Sequence, residues 1–252
     1  MFDTGTSVGE LACELFSGGE RIEYTGDFGS QMAKTKELIE RGTEVIYEAT
    51  FCFEGILVMV DILCVGDDGL VINEVKSSTS VKEVYIDDAA IQYYVISSLG
   101  YKVSAVNIIH IDNTYVRGDK LELEKLFHTE DVTEQIIQKQ ADIPQILSKF
   151  DEILGKNVES EIDIGVQCSN PYPCDAWEYC WREQRSIPEY SVFDISRLRS
   201  DKKFELYKSG IVKFEDIKEL DKFNASQQIQ IRSELSKEQI IDEEAIKEFL
   251  NT

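Results

Sequence analysis

The segment from residue 58 to 76, VMVDILCVGDDGLVINEVK, constrains the fold more than any other part of the chain. It predicts a strand that carries Asp61, a tight turn at GDDG, and a second strand that ends in Glu74-Val75-Lys76. Because side chains alternate along a strand, Glu74 and Lys76 share one face while Val75 faces the other way. Two carboxylates and an ammonium group are therefore expected to converge beside a hairpin, as in a metal-dependent phosphodiesterase.

The segments on either side of this hairpin predict an α/β fold. Helices are expected over residues 6–16 and 28–41, and a strand over 44–53 leads into the hairpin. A helix over 84–99 and a buried strand over 102–112 follow it. This order of helices, a three-strand meander, a helix and a strand indicates a mixed central sheet that is flanked by helices.

The remainder of the chain predicts helices and loops. Residues 119–154 have helical spacing in their later part, residues 155–174 are loop-like, and residues 193–251 predict polar helices. Within them, residues 204–217 predict a helix, a Gly-Ile turn and a second helix, which faintly resembles helix-hairpin-helix modules. A plain helical hairpin that packs against its neighbours is the favoured interpretation of that segment.

Composition narrows the class of protein and its partners. The chain has 252 residues, and no apolar run approaches the length of a membrane span. It opens without the basic and apolar regions of a signal peptide, so we expect a cytoplasmic protein whose six cysteines are thiols or metal ligands. The net charge of −22 repels nucleic acid at long range, so a nucleic-acid site requires local clustering of basic groups.

The hairpin resembles the core of a known nuclease superfamily. Asp61, followed on the next strand by Glu74-Val75-Lys76, is similar to the PD-(D/E)XK motif. That resemblance implies a restriction-endonuclease-like core, with a C-terminal helical appendage after it.

A second stretch narrows the resemblance to the RecB-like branch, which includes the CRISPR-associated iron–sulfur exonucleases. DDAAIQYY at residues 87–94 resembles the helix that follows the Lys strand in this branch and places Gln92 at the position of its Gln. The resemblance also suggests kinship with an uncharacterised bacterial family of multidomain proteins that begin with such a nuclease domain. We therefore expect a nuclease-like domain over residues 1–182, closed by a Cys-rich segment, and a helical appendage over residues 183–252.

The resemblance assigns roles to five residues. Asp61 and Glu74, together with the Val75 carbonyl, would hold Mg²⁺ or Mn²⁺. Lys76 would orient or polarise the attacking water, and Gln92 would position Lys76 or a phosphate. The alternative for Asp61 is a strand residue that simply faces solvent.

One feature of the relatives is missing. RecB-like proteins often carry a His on the first helix as a further metal ligand, whereas Gly9 and then Glu10 occupy the corresponding positions here. Neither His110, near the end of a strand, nor His128, expected in a later loop or helix, matches that position. A catalytically silent nucleic-acid-binding or scaffolding domain therefore stays open as the alternative function.

The run CSNPYPCDAWEYCW holds three regularly spaced cysteines, Cys168, Cys174 and Cys180. They resemble the C-terminal ligands of the iron–sulfur branch, where four cysteines bind a [4Fe–4S] cluster. The fourth ligand of the relatives lies upstream of the nuclease core, and we expect it to be missing from this chain, with Cys13 as the N-terminal candidate. Zinc is the alternative metal, and three unliganded thiols are the third interpretation.

These features together predict a divalent-metal-dependent nuclease that acts on DNA rather than RNA. We expect no membrane partner, and we expect further domains in a longer parent protein. A protein-interaction module whose acidic surface mimics DNA is a further class that the charge of −22 allows.

Overall fold

The computed structural model describes residues 2–251, whose contacts divide into two compact units. The first unit ends at Val158 and the second begins at Glu159. The sequence-based boundary stood at 182/183, further along the chain. The difference arises because Cys168, Cys180 and Trp181 pack against Phe204 and its neighbours, so the Cys-rich segment groups with the residues that follow it.

The first unit is built on a six-stranded mixed sheet with the strands in chain order. The first pair and the β4–β5 pair are parallel, whereas the other three pairs are antiparallel. The strands are β1 (Glu20–Arg21), β2 (Val45–Phe53), β3 (Ile56–Gly66), β4 (Gly69–Lys76), β5 (Val103–Ile111) and β6 (Phe127–Asp131).

Helices cover both faces of this sheet, which confirms the predicted class of a mixed sheet flanked by helices. One buried cluster joins α2, α3, α5 and α6 to what we call the α3 face, and another joins α1 and α4 to the opposite α1 face. These helices are α1 (Phe2–Cys13), α2 (Phe28–Arg41), α3 (Glu83–Ser98), α4 (Leu123–Leu126), α5 (Thr133–Lys139) and α6 (Ile143–Leu154).

The two hairpins of the meander have two-residue turns. Glu54 and Gly55 connect β2 to β3 with φ angles of 49° and 84°, the positive pair that type I′ turns require. Gly66 pairs directly with Gly69 across the second turn, where φ at Gly69 is 132°. The second turn lies where the sequence predicts it, and the two turns together set the register of all three strands.

Two strands of the sheet, β1 and β6, were not predicted. Residues 127–131 fall in a segment whose later part has helical spacing, yet they form β6 and pair antiparallel with β5. His128 therefore lies in a strand, opposite His110, and the expectation of a loop or helix there was wrong. Five polar-rich residues become a strand because β5 offers an open edge with unpaired backbone groups.

The second unit contains the helices α7 (Ser200–Lys208), α8 (Ala225–Ser236) and α9 (Glu243–Leu250). The predicted second helix of the 204–217 segment is wrong, because only a three-residue 3-10 turn, Phe214–Asp216, forms after Gly210. The Asp216 carboxylate accepts the backbone N–H groups of Val212 and Lys213, which stabilises this short turn. The segment is therefore not a helix-hairpin-helix pair.

Across residues 2–251, every helix is too short or too polar to cross a membrane.

Candidate active site at a fork in the sheet

Three carboxylates lie in a row across three neighbouring strands. The paired residues of β2 and β3 on either side of Glu48 place it opposite Asp61 of β3. The same reasoning places Asp61 opposite Glu74 of β4, one position beyond the last β3–β4 pair. Beyond that position β3 continues along β2 while β4 continues along β5, so the sheet forks where the acids meet.

Glu48 has the backbone conformation that makes this row possible. Its φ is 59°, in the left-handed region that non-glycine residues rarely adopt within a strand. Tyr47 packs on the α1 face and Ala49 on the α3 face, so β2 changes face at Glu48, and β3 makes the same change around Asp61. Such strain costs about 1–3 kcal/mol and is found most often at functional sites.

Asp61 closes the fork with one hydrogen bond. Its Oδ2 atom accepts the backbone N–H of Val75 at 2.7 Å, a donor that lies beyond the β3–β4 pairing. This contact brings the Asp61 carboxylate beside the backbone of the Glu74-Val75-Lys76 triplet. The structure therefore brings the first predicted acid to the predicted triplet.

Glu74 is almost fully buried on the α3 face, with 6% of its surface exposed. Its Oε1 accepts the Lys76 ammonium at 2.7 Å, and its Oε2 accepts the Gln92 side-chain amide at 2.8 Å. Lys76 also donates to Asp88 of α3 at 2.7 Å. Asp88 was not identified from the sequence, although its position one helical turn before Gln92 puts both on the same side of α3.

Gln92 lies in the site, but its partner differs from the predicted one. It was expected to position Lys76 or a phosphate, whereas its amide nitrogen bonds Glu74. Its side-chain oxygen is buried and has no hydrogen-bond partner. A buried acceptor of this kind is costly unless a donor or ligand satisfies it, so this atom points to an interaction that a bound ligand would complete.

The acids open into a cleft of about 400 Å³ that runs between the fork and α1. Gly5, Gly9 and Glu10 of α1 line one wall, so the positions at which the sequence resemblance would place a His lie beside the acids. A Cβ atom at Gly9 would meet nothing within 4 Å, so there is open space in the cleft at this position. Cys13 and Arg21 complete the lining together with the fork residues.

Burial shifts the titration of the buried acids upward. It raises the pKa of Asp61 to about 6, and the charge of Glu48 adds to this shift. It raises the pKa of Glu74 to about 8, with the charge of Asp61 acting in the same direction. Burial alone would lower the pKa of Lys76, but the carboxylates of Glu74 and Asp88 raise it above its ordinary value. The two acids therefore keep protons near neutral pH, and a bound cation would displace these protons and hold the carboxylates in their ionised form.

Gly19 and Tyr47 approach each other closely next to Cys13 and Arg21, which line the cleft. The Tyr47 hydroxyl accepts the Gly19 N–H at 3.3 Å and donates to the Phe16 carbonyl at 2.5 Å, with the Cys13 carbonyl at 3.2 Å beside it. A Cβ atom at Gly19 would lie 2.5 Å from the Tyr47 ring.

Gly19→Ala is therefore expected to lower the free energy of unfolding by about 1–3 kcal/mol, the usual size of an overpacking effect. Urea denaturation followed by circular dichroism measures this change. Gly118→Ala is the matched control, because a Cβ atom there meets nothing within 4 Å. Equal losses for the two variants would contradict the packing argument.

The two histidines form a pair away from the cleft lining. His110 and His128 are opposite each other on β5 and β6, and their ring centroids are 5.2 Å apart. His110 is buried and lies 4.0 Å from Glu130. Neither residue lines the cleft, which agrees with the expectation that neither replaces the first-helix His.

The three clustered cysteines are not gathered into a ligand set. Cys168 lies in a 3-10 turn, Cys180 lies in a π-helical turn, and Cys174 is exposed between them. Within residues 2–251, no three His, Cys, Asp or Glu side chains are grouped closely enough to hold a metal ion. The donor set therefore does not fit a [4Fe–4S] cluster or a zinc ion in this arrangement, and the cluster stays a prediction.

Comparison with known proteins gives limited information. No protein-family model matches the chain, and no curated protein matches it. The crystal structure of SSO0001 is similar over 57% of this chain and 69% of that one, at 12% sequence identity and a TM-score of 0.23. A similarity at that level carries no argument about fold or function.

Proposed function

We propose that the protein is a divalent-metal-dependent nuclease of the RecB-like PD-(D/E)XK kind, with a restriction-endonuclease-like core in its first unit. The observation that carries this proposal is the fork, where Asp61, Glu74 and Lys76 are brought together at the mouth of a cleft. The element order supports it as well, since a helix, a three-strand meander, a helix and a parallel strand surround the site.

The donor set fits Mg²⁺ or Mn²⁺. Carboxylate and carbonyl oxygens are the ligands that hard divalent cations prefer, and Mg²⁺ needs only one or two carboxylates because it keeps several waters. Asp61, Glu74 and the Val75 carbonyl would hold the ion. When bound, it supplies Lewis-acid polarisation of the phosphate and a more acidic water. One Glu74 oxygen would have to exchange its present partner, Lys76 or Gln92, to join the ligands.

The chain's own residues then act on the water and the phosphate. Lys76 is charged at neutral pH and would orient the attacking water or offset developing charge on the phosphate. Asp88 holds the Lys76 ammonium from the helix side and so keeps it at the fork when Glu74 changes partner. Gln92 would stay bonded to Glu74 as that carboxylate moves. Alternatively, a water that donates to both the unpaired Gln92 oxygen and the phosphate would bridge the two.

The alternative is a catalytically silent nucleic-acid-binding or scaffolding domain. The observation that favours it is the present occupation of both Glu74 oxygens, together with Gly9 in place of a ligand. In that case the ion pair of Glu74 and Lys76 would be structural.

A cleavage assay separates these two functions. The full chain is incubated with end-labelled single-stranded DNA, duplex DNA and RNA in Mg²⁺, Mn²⁺ or EDTA. We expect cleavage of DNA that requires the metal and that falls by about 10²- to 10⁴-fold in Lys76→Ala, the range for loss of a group that assists proton transfer. DNA binding without cleavage in either metal would favour the silent domain. Equal cleavage by Lys76→Ala and its parent would remove the proposal.

A further inference from the structure

Arg21 is the second cationic side chain of the cleft, and the fold holds it there. It lies in β1, where it pairs with Tyr47 of β2, and its guanidinium sits over the Tyr47 ring at 5.5 Å. The Tyr47 hydroxyl is in turn tied to the backbone of Cys13 and Gly19. An aromatic face under the guanidinium restricts the arginine to the cleft wall.

The present partners of Arg21 bind it loosely. Nη1 donates to Glu48 at 3.3 Å and Nη2 donates to the Cys13 sulfur at 3.5 Å. The bond to Glu48 is long for a charge-assisted contact, the Cys13 sulfur is a weak acceptor, and the two bonds use two of the five donors of a guanidinium. The Arg21 side chain is also 38% exposed, so it is open to a ligand in the cleft.

Lys76 differs on each of these points. Both of its contacts, to Glu74 and Asp88, measure 2.7 Å, and its side chain is 20% exposed. Releasing Lys76 would leave Glu74 buried beside Asp61 without its cation. Releasing Arg21 leaves Glu48 with 40% of its side chain exposed, where water can solvate the carboxylate. Arg21 is therefore the cation that a ligand can recruit at lower cost.

A polynucleotide strand that enters this cleft meets several acids. Glu10, Glu48, Asp61 and Glu74 line it, so a phosphate needs a cation near its entry point. The planar fork of a guanidinium matches two phosphate oxygens, which an ammonium group does not. We propose that Arg21 binds a backbone phosphate of the strand, and that Glu48 is the resting counterion that this phosphate replaces. This inference rests on the proposed nuclease function and names the group that receives its substrate.

The exchange explains why an acid occupies the strained position in β2. Glu48 neutralises Arg21 while the cleft is empty, and this prevents an unpaired cation from lying against the α1 wall. When the phosphate replaces it, Arg21 keeps an anionic partner and the released Glu48 carboxylate turns to water. Glu48 therefore competes with the strand for Arg21, and removing its charge should favour binding.

The test measures the affinity for a fluorescein-labelled single-stranded DNA oligonucleotide in Mg²⁺, on a Lys76→Ala background so that the strand stays intact. Arg21→Ala is expected to weaken binding about tenfold and to reduce the slope of log affinity against log salt by about 0.7, the value for one phosphate on a single strand. Arg21→Lys should keep the slope and recover part of the affinity. Arg117→Ala, which removes an exposed arginine outside the cleft lining, should change the affinity little.

Glu48→Gln is expected to change the affinity for the oligonucleotide in the opposite direction. It should tighten binding several-fold when Arg21 is present and have no such effect together with Arg21→Ala. Thermal melting of each variant checks that the fold is kept. An unchanged affinity and salt slope in Arg21→Ala, or tightening by Glu48→Gln without Arg21, would overturn this inference and leave the nuclease proposal standing. Failure of the parent to bind or cut any nucleic acid would instead overturn the nuclease proposal.

Discussion

Replacing Glu74 by Gln is expected to lower the rate of metal-dependent DNA cleavage by on the order of 10³-fold, the size of effect seen when one preorganised charge-stabilising group is lost. Glu74 is the most buried acid of the fork, with 6% of its surface exposed. A neutral amide keeps its shape but cannot supply the negative oxygen that a divalent cation requires. Single-turnover kinetics in Mn²⁺ with end-labelled DNA measures the change.

The Gln side chain should be accommodated without unfolding. At position 74 it can still accept the Gln92 amide, which donates to Oε2 at 2.8 Å. Its own amide nitrogen takes the place of Oε1, which accepts the Lys76 ammonium in the parent, so Lys76 keeps Asp88 as its partner. The lost contact to Lys76 is expected to lower the melting temperature modestly, and a variant that is still folded at the assay temperature separates a defect in chemistry from a defect in folding.

Glu23→Gln is the matched control, because it makes the same change at an exposed residue outside the cleft lining. Its cleavage rate should equal that of the parent. A rate for Glu74→Gln within tenfold of the parent would show that Glu74 is not required for cleavage. The ion pair with Lys76 would then be structural, as in the silent-domain alternative.

The meander and its acids follow from the sequence because turn chemistry sets the register. Glu54-Gly55 and Asp67-Asp68 are two-residue turns, and a two-residue turn determines which residues face each other across the hairpin. The same rule also places Glu48 opposite Asp61, so the third acid of the row could have been found from the turns alone. What the sequence does not indicate is the positive φ at Glu48, because that conformation is imposed by the change of face in the sheet.

The partners of the predicted residues were harder to foresee. Helical spacing puts Gln92 and Asp88 on one side of α3, but which of them contacts Glu74 and which contacts Lys76 depends on the distance between helix and sheet. Tertiary contacts also decided β6, whose residues have no strong strand preference and become a strand through pairing with the edge of β5. Local patterns predict elements better than they predict which polar groups meet.

The raised pKa values of the two buried acids lead to the second large effect, a dependence of stability on pH. The free energy of unfolding of the metal-free protein is expected to fall as the pH rises from about 5 to 8. The pKa of Glu74 is about 8 in the folded protein, against 4.5 for the free group, and that of Asp61 is about 6, against 3.8. At a pH between the unfolded and the folded pKa of each acid, the folded chain holds a proton that the unfolded chain has released.

The sign follows directly from this difference in bound protons. Stability decreases with pH wherever the folded state binds more protons than the unfolded state, so both acids stabilise the fold at low pH and lose that contribution as pH rises. One pKa unit corresponds to about 1.4 kcal/mol, so the two shifts together give an expected fall on the order of 5 kcal/mol between pH 5 and 8. Lys76 does not alter this window, because its raised pKa moves its own titration further into the alkaline range.

Urea denaturation in EDTA at pH 5.5, 7.0 and 8.5 measures the fall, and Glu74→Gln should remove most of it because the amide does not titrate. Added Mn²⁺ should reverse the trend in the parent, since a cation binds the ionised carboxylates and stabilises only the folded state. It should do little for Glu74→Gln. If the stability of the parent changes neither with pH nor with Mn²⁺, the charges of the buried acids are already balanced by groups of the fold, and the prediction is wrong.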